Sequence, residues 1–346
     1  MVGLRETARR VTGRWTHRLQ SVPILALNVH TACNCRCVMC DIWKANDQKR
    51  TIAVDELGRH VEAMRRLHVR RVMLTGGEPL LHRNLWTLCD LLRTEGISIT
   101  LVTTGLLIAR HVHEVAARVD ELVVSIDGPP EVHDAIRRVR GGFDRIEHGL
   151  GLLRNHRTRP RIVVRSVVQR ANHARLAETI DAVRAAGADG LSFLAADLSS
   201  PAFNRPEPWN AGRQAEIALS RDHVMALAAA IGEVELRCRG ALNSHFIVGG
   251  LGALWRIYDY YSALAGLRSL PRVTCNAPWT SAVMEPGGVL RPCFFHPPYA
   301  ASSNLPLDEA LNAPAAVAFR RRLDVRRDET CKRCVCTLSV APWQDV

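Results

Sequence analysis

The sequence predicts an α/β fold: a partial (β/α)6 TIM-like barrel followed by a small cysteine-rich C-terminal module. Three observations carry that expectation. Six short apolar runs alternate with stretches of helical spacing, the pattern of parallel strands joined by helical crossovers. Polar or turn-forming motifs follow those runs, where a barrel keeps its functional rim. Most of the 11 cysteines fall into two sets, within residues 33–40 and 275–336. Six units are too few to close an eight-fold barrel, so the barrel is expected to be open.

Residues 1–21 form the first expected element, a basic helix with Arg5, Arg9, Arg10, Arg14 and Arg18 and apolar positions at Leu4, Val11, Trp15 and Leu19. It is expected to dock on the protein's own surface; an anionic membrane and the barrel mouth are alternatives. The barrel is assigned to residues 22–196. Its first strand is the apolar run 23–29, which leads into a cysteine loop. Val54, Leu57, Val61, Met64 and Leu67 recur at helical spacing. The strand at 71–75 follows and stops at Gly76-Gly77-Glu78-Pro79. A helix near 84–94 precedes the strand at 98–103, which stops at Thr104-Gly105. A helix near 109–119 precedes the strand at 122–126, which stops at Asp127-Gly128-Pro129. The strand at 161–168, a helix at 174–186 and the strand at 191–194 complete the six units.

Residues 197–271 read as a helical insert. Pro201, Pro206 and Pro208 mark a loop, and a helix is expected at 223–231, a short strand at 234–238 and an aromatic helix at 245–267. That last helix carries Phe246, Trp255, Tyr258, Tyr260 and Tyr261, for packing or for lining a substrate pocket. Residues 272–346 hold the second cysteine set, with a hairpin over 284–293 turning at Pro286-Gly287-Gly288.

The chain has 346 residues, 47% of them hydrophobic, enough for a large core beside a small module. Eleven cysteines without a secretory segment favour a reducing, cytoplasmic location and metal ligation over a disulfide framework. No apolar run of about 18 residues appears, so no membrane span is expected. The net charge of +12 comes almost entirely from arginine. Without interleaved stacking aromatics, nucleic acid is not expected as a partner, whereas an anionic substrate suits the charge.

Within the first loop, Cys33, Cys37 and Cys40 have C-x3-C-x2-C spacing, with Cys35 as an extra. Three thiolates this close hold three corners of an iron–sulfur cube and leave one iron open to a ligand. A zinc knuckle or a disulfide knot is the plainer alternative. Cys275, Cys293, Cys331 and Cys334 make a second four-thiol set able to hold a cluster or zinc, with Cys336 as a substitute or spare.

The C-x3-C-x2-C loop after the first strand resembles that of the radical S-adenosylmethionine (SAM) enzymes. The resemblance implies that Cys33, Cys37 and Cys40 bind a [4Fe-4S] cluster whose open iron chelates SAM, and that one electron cleaves SAM to a 5′-deoxyadenosyl radical. A flavodoxin- or ferredoxin-type protein would supply that electron. Gly76-Gly77-Glu78 resembles the family's GGE element, which meets the SAM amino group. Ser125 and Asp127 resemble a fourth-strand element that reaches the SAM ribose, Ser125 being favoured. Thr104 stands where the family usually has asparagine, and Met39 where many members have an aromatic residue. Arg165, a cation within a strand, is expected to meet the SAM carboxylate, an anionic substrate or an internal carboxylate. The second cysteine set resembles the C-terminal module of the SPASM/twitch subgroup, in the shorter twitch form with one auxiliary [4Fe-4S] cluster.

These resemblances imply removal of two electrons from a small molecule or a peptide side chain in natural-product biosynthesis, the auxiliary cluster accepting one of them. The first alternative is epimerisation, with Cys238 returning a hydrogen atom from the rim side of the barrel. Peptide modification and a metal-binding regulator that makes no radical are the others.

Overall fold

The computed structural model describes residues 2–205, 207–299 and 305–346. The six expected strands are β1 (Ile24–His30), β2 (Arg71–Gly76), β3 (Ser98–Thr103), β4 (Glu121–Ser125), β5 (Arg161–Val168) and β6 (Gly190–Ala195). All five neighbouring pairs among them are parallel. Helices lie between successive strands, as parallel crossovers require.

The sheet does not end there. A hairpin of β7 (Ser281–Glu285) and β8 (Val289–Arg291) joins it through β7, which pairs parallel with β1. The sheet therefore has eight strands in the order β6-β5-β4-β3-β2-β1-β7-β8. The hairpin turns at residues 286–288 as expected, but it is part of the barrel sheet rather than of a detached module. β6 and β8 are the two edges, and the barrel is open between them.

Strand alternation sets what faces inward. In β5, Ile162, Val164 and Val168 join the apolar core beneath the crossover helices, as do Leu122 and Val124 of β4 and Leu191, Phe193 and Ala195 of β6. Ser125, Arg165 and Ser192 occupy the opposite face, the barrel interior. Register places them side by side, Ser125 opposite Arg165 and Arg165 opposite Ser192.

The insert is built into this frame. The helix Gly250–Leu264 packs on β6, and its aromatic residues fasten the strand ends. The Tyr261 hydroxyl donates to the Val168 carbonyl at 2.6 Å and accepts from the Ala196 amide at 3.0 Å. The short strand expected at 234–238 is instead the end of a helix, Arg221–Arg237. Val224, Leu227, Ala230, Ile231 and Val234 bury one continuous helical face, which the run Val-Glu-Leu-Arg-Cys read alone does not reveal. The N-terminal helix spans Leu4–Thr16 and docks through a polar contact, Arg10 Nη1 donating to the Gln344 carbonyl at 2.7 Å. Its apolar positions Leu4 and Trp15 face solvent. Among the described residues no helix is long and apolar enough to cross a membrane.

Candidate active site

The cysteine loop leaves β1 at the carboxyl rim and is braced by groups that are not thiols. Asn46 exchanges two 2.9 Å hydrogen bonds with the Cys33 backbone. The amides of Arg36 and Val38 donate to the carbonyls of Arg137 and Ile136. Asn34 accepts from the Thr104 hydroxyl at 3.0 Å, and Arg213 donates to the Val38 carbonyl. These bonds shape the loop without drawing on the sulfurs of Cys33, Cys37 and Cys40.

Gly76 and Gly77 explain why the next strand must end in glycine. The Gly77 amide donates to the His30 carbonyl at 2.7 Å and the Glu78 amide to the Ala32 carbonyl at 2.9 Å. A Cβ on Gly77 would lie 2.1 Å from the Ala32 oxygen, and one on Gly76 2.4 Å from the His30 oxygen, with Gly76 at φ +133°. Gly77→Ala is therefore expected to lower stability by about 3 kcal/mol, as backbone has to move. Iron retention should fall with it. A denaturation midpoint like that of the unaltered protein would show the approach to be slack.

Glu78 and Thr104 come to the rim but turn into the protein. Glu78 is fully buried, and its carboxylate accepts from the Leu80 amide (3.0 Å), the Thr103 hydroxyl (2.7 Å) and the Thr104 amide (2.6 Å). Burial raises its pKa and these bonds oppose the rise. Its carboxylate ties the ends of β2 and β3 together instead of presenting an acceptor to an amino group. Thr104 is consumed by Glu78 and Asn34.

Asp127 is corrected in the same way. It has no exposed surface; Oδ1 accepts from the Val167 amide at 2.8 Å and Oδ2 from Arg137 Nε at 2.6 Å. It cannot face a ribose. It clamps Arg137, whose Nη1 lies 3.5 Å from Cys37 Sγ. Burial alone would lower the Arg137 pKa, but the charges of Asp127, Cys37 and Cys35 outweigh it and push it up. Cys37 is drawn down to about 6, first by accepting the Cys35 thiol and then, against burial, by Arg137. Cys35 is correspondingly raised, as the neutral donor between Cys33 and Cys37. Burial pushes Cys40 up to about 12. The loop therefore offers a ready Cys37 thiolate beside a Cys40 thiol that metal must deprotonate. In the sequence Arg137 belongs to the basic stretch 134–140, whose arginines suit either the active-site rim or a solvated turn; the acid ten residues earlier at a strand end was the available signal.

The second thiol set assembles at the open side of the barrel. Cys293 follows β8, at one sheet edge. Tyr260, on the helix packed against the other edge, feels the charges of Arg333 and Cys334. Asn276 pins the C-terminal segment, with Nδ2 donating to the Val340 carbonyl at 2.7 Å and its amide to the Leu338 carbonyl at 2.7 Å. Cys293 is pushed up to about 11 by burial and feels Cys275 and Cys336. Cys331 and Cys334 are raised by burial and feel Cys293 and Cys275. All five cysteines thus share one neighbourhood. His296, missed in the sequence although Cys293-x2-His296 was a signal, places Nε2 3.4 Å from Cys331 Sγ. His296, Asp328 and Cys331 bring ligand atoms within 4.8 Å of one another.

Cys238 lies elsewhere. It ends the helix Arg221–Arg237 beside Asp181 and Arg184, at the C-terminal end of the crossover helix that leads into β6. The segment just after it bonds to the start of β6, where the Leu191 amide donates to the Phe246 carbonyl at 2.7 Å. That is the amino-terminal end of the strands, opposite the cysteine loop, so Cys238 cannot return a hydrogen atom at the rim.

Comparison with known proteins agrees with this geometry. Residues 27–190 match the radical SAM superfamily model. A probable GTP 3′,8-cyclase of Methanopyrus kandleri is 34% identical over 110 residues, 31% of this chain and 35% of the relative. An AdoMet-dependent heme synthase of Methanosarcina barkeri is 29% identical over 135 residues, 38% of this chain and 39% of the relative. The chain thus spans little more than a third of the length of these relatives. Streptococcus suis SuiB bound to precursor peptide SuiA shares the fold at TM-score 0.64 and 13% identity, over 98% of this chain and 77% of that one. The protein anSMEcpe with bound AdoMet does so at TM-score 0.64 and 18% identity, over 91% of this chain and 83% of that one. With its three-cysteine loop set at the rim of a partial barrel, this chain carries a domain of the radical SAM superfamily, whose members use a [4Fe-4S] cluster and SAM.

Proposed function

We propose that this protein removes two electrons from a small molecule, as a radical SAM enzyme with one auxiliary [4Fe-4S] cluster in a twitch-type C-terminal module. The observation that carries the reading is the second thiol set, gathered at the open side of the same barrel whose rim holds Cys33, Cys37 and Cys40. Among the described residues His296, Asp328 and Cys331 bring ligand atoms within 4.8 Å of one another, so zinc is the competing occupant that iron and sulfide analysis distinguishes.

When bound, the first cluster and SAM supply a hydrogen-abstracting 5′-deoxyadenosyl radical, and the second cluster an acceptor for the remaining electron. The chain's own part is to hold and orient. Cys33, Cys37 and Cys40 take the first cluster; Cys275, Cys293, Cys331 and Cys334 take the second, with Cys336 beside them. Gly76 and Gly77 bring backbone close to the loop, and Ser125 presents a hydroxyl inside the barrel for the cofactor's ribose. Asp127 and Arg137 hold a fixed cation against Cys37. The net charge of +12 suits an acidic flavodoxin- or ferredoxin-type donor.

The test is anaerobic. Reconstituted protein with dithionite and SAM should form 5′-deoxyadenosine and hold iron and sulfide for two clusters. A screen of small molecules and peptides should yield a product lighter by two hydrogens, without deuterium from heavy water. Deuterium uptake would instead mean epimerisation, and iron for a single cluster would end the two-cluster reading. Peptides belong in the screen because SuiB is seen with a precursor peptide and anSMEcpe with peptides.

A further inference from the structure

We propose that the N-terminal helix Leu4–Thr16 docks this protein on an anionic lipid bilayer, apolar edge first. Leu4, Ala8, Val11 and Trp15 stand at i, i+4, i+7 and i+11 of that helix, so they form one stripe along its length. All four are exposed, Leu4 at 90% and Trp15 at 83%. The helix turns its polar side to the protein instead. Glu6 accepts from the Ser21 hydroxyl and from Arg10 Nε at 3.0 Å, and Arg10 and Gly13 are the buried residues. A surface helix ordinarily buries its apolar stripe, so this inversion marks a face whose apolar partner lies outside the molecule.

Charge identifies the occupant. Arg5 and Arg9 border the stripe on one side and Arg14 on the other, and Arg18 follows just past the helix end. Among the described residues the ion pairs of this helix are those of Glu6, its single acid, with Arg9, Arg10 and His68. Arg5, Arg14 and Arg18 are exposed and left to solvent. His17, also past the helix end, is held below its usual pKa by burial and then by the charges of Arg321 and Arg320. Arg321 is exposed, so it adds a further cation at the Trp15 end. An apolar stripe edged by uncompensated arginines is complementary to a negatively charged lipid surface.

The dimensions favour a bilayer over a protein. The 13 residues make a helix about 20 Å long and about 10 Å wide, so one face covers on the order of 200 Å². A stable protein interface takes about 800 Å² from each partner. A lipid surface needs no matching shape. Trp15 suits the headgroup boundary and Leu4 and Val11 the acyl chains beneath, while the arginine stems lie along the interface with their heads at lipid phosphates. Trp343, also exposed, stands beside the start of the helix, its carbonyl accepting from the Val2 amide at 3.2 Å. The chain after the helix leads into β1, and His17 accepts from Trp279 Nε1 at 3.3 Å just before β7. The helix thus sits at the amino-terminal end of the strands, and docking through it leaves the cysteine rim uncovered.

Vesicle flotation of the anaerobically reconstituted protein tests this, with phosphatidylcholine alone and with an equimolar mixture of phosphatidylcholine and phosphatidylglycerol. The mixed vesicles should bind at least tenfold more tightly than the neutral ones, and tryptophan emission should shift to the blue. Leu4→Ser with Trp15→Ser should weaken that binding at least tenfold, and so should Arg14→Gln with Arg18→Gln. Leu236→Ser, an exposed apolar change on another helix, should leave it within twofold. Trp15→Phe should keep binding within threefold while losing the emission shift. All these side chains are exposed, so each variant should keep the melting temperature of the unaltered protein. No binding to either vesicle would overturn the proposal. Equal binding by the Leu4→Ser, Trp15→Ser variant would also overturn it, by revealing mere adsorption of a cationic protein. An emission shift that survives Trp15→Phe would overturn it by putting a different face on the lipid. So would a concentration-dependent dimer abolished by the serine changes without vesicle binding, which would assign the stripe to a second copy of this chain. None of these readouts involves SAM or turnover, so they stand apart from the 5′-deoxyadenosine assay on which the enzyme reading rests.

Discussion

With Cys33, Cys37 and Cys40 all changed to alanine, the protein is expected to fold, to hold about half its iron, and to form no 5′-deoxyadenosine from SAM. The retained half follows because the second thiol set is built from different segments and gains nothing from the first loop. Folding is expected because the braces of the loop are Asn46, Thr104, Arg213 and the backbone at 136–137, none of which involves these three sulfurs. Cys35→Ala is the control. Its thiol is buried between two ligands as a neutral donor, so iron content should stay within about a tenth of the unaltered value while the Cys37 thiol titrates higher. Iron counting and SAM cleavage decide the matter together. A triple variant that still cleaved SAM would remove the basis for the whole assignment, and loss of both clusters' iron would mean that the loop is needed for the fold.

What could be read in the sequence, and what could not, divides by the range of the interaction. The six strands and the 286–288 turn were legible because apolar alternation and turn chemistry are local. That β7 would add itself to β1 was not, since nothing within residues 281–285 names a partner 250 residues earlier. The run 234–238 misled for the opposite reason: read alone it suits a strand, and only the phase of Val224 to Val234 shows it to be helix. The motifs of the site were found, but not the direction of their side chains. Glu78, Thr104 and Asp127 reach the rim as expected and are then spent on the protein's own backbone and side chains. A short motif fixes position and residue type, while three-dimensional neighbours fix which way the oxygen points. Arg137, His296 and Cys238 depended on such neighbours entirely.

Arg137 is where this distinction has the largest measurable consequence. Asp127→Asn is expected to cost about 3–5 kcal/mol, because it leaves the buried guanidinium without its counter-ion. Asparagine keeps an oxygen for the Val167 amide, so the loss isolates the charge pair. The double change Asp127→Asn with Arg137→Met should regain most of that stability, since neither charge remains to be compensated. It should not regain the site. A cation fixed 3.5 Å from a ligand sulfur favours the more negative, reduced cluster, so its removal lowers the reduction midpoint. Titration followed by electron paramagnetic resonance should therefore show a lower midpoint in Arg137→Met and in the double variant, with Arg137→Lys in between. SAM cleavage should fail first with a weak protein donor and be restored by a stronger chemical reductant. A merely structural pair predicts another pattern: stability restored in the double variant and the midpoint unchanged throughout. That outcome would confine Arg137 to the fold and leave the potential to be set by burial and by the Cys35 thiol alone.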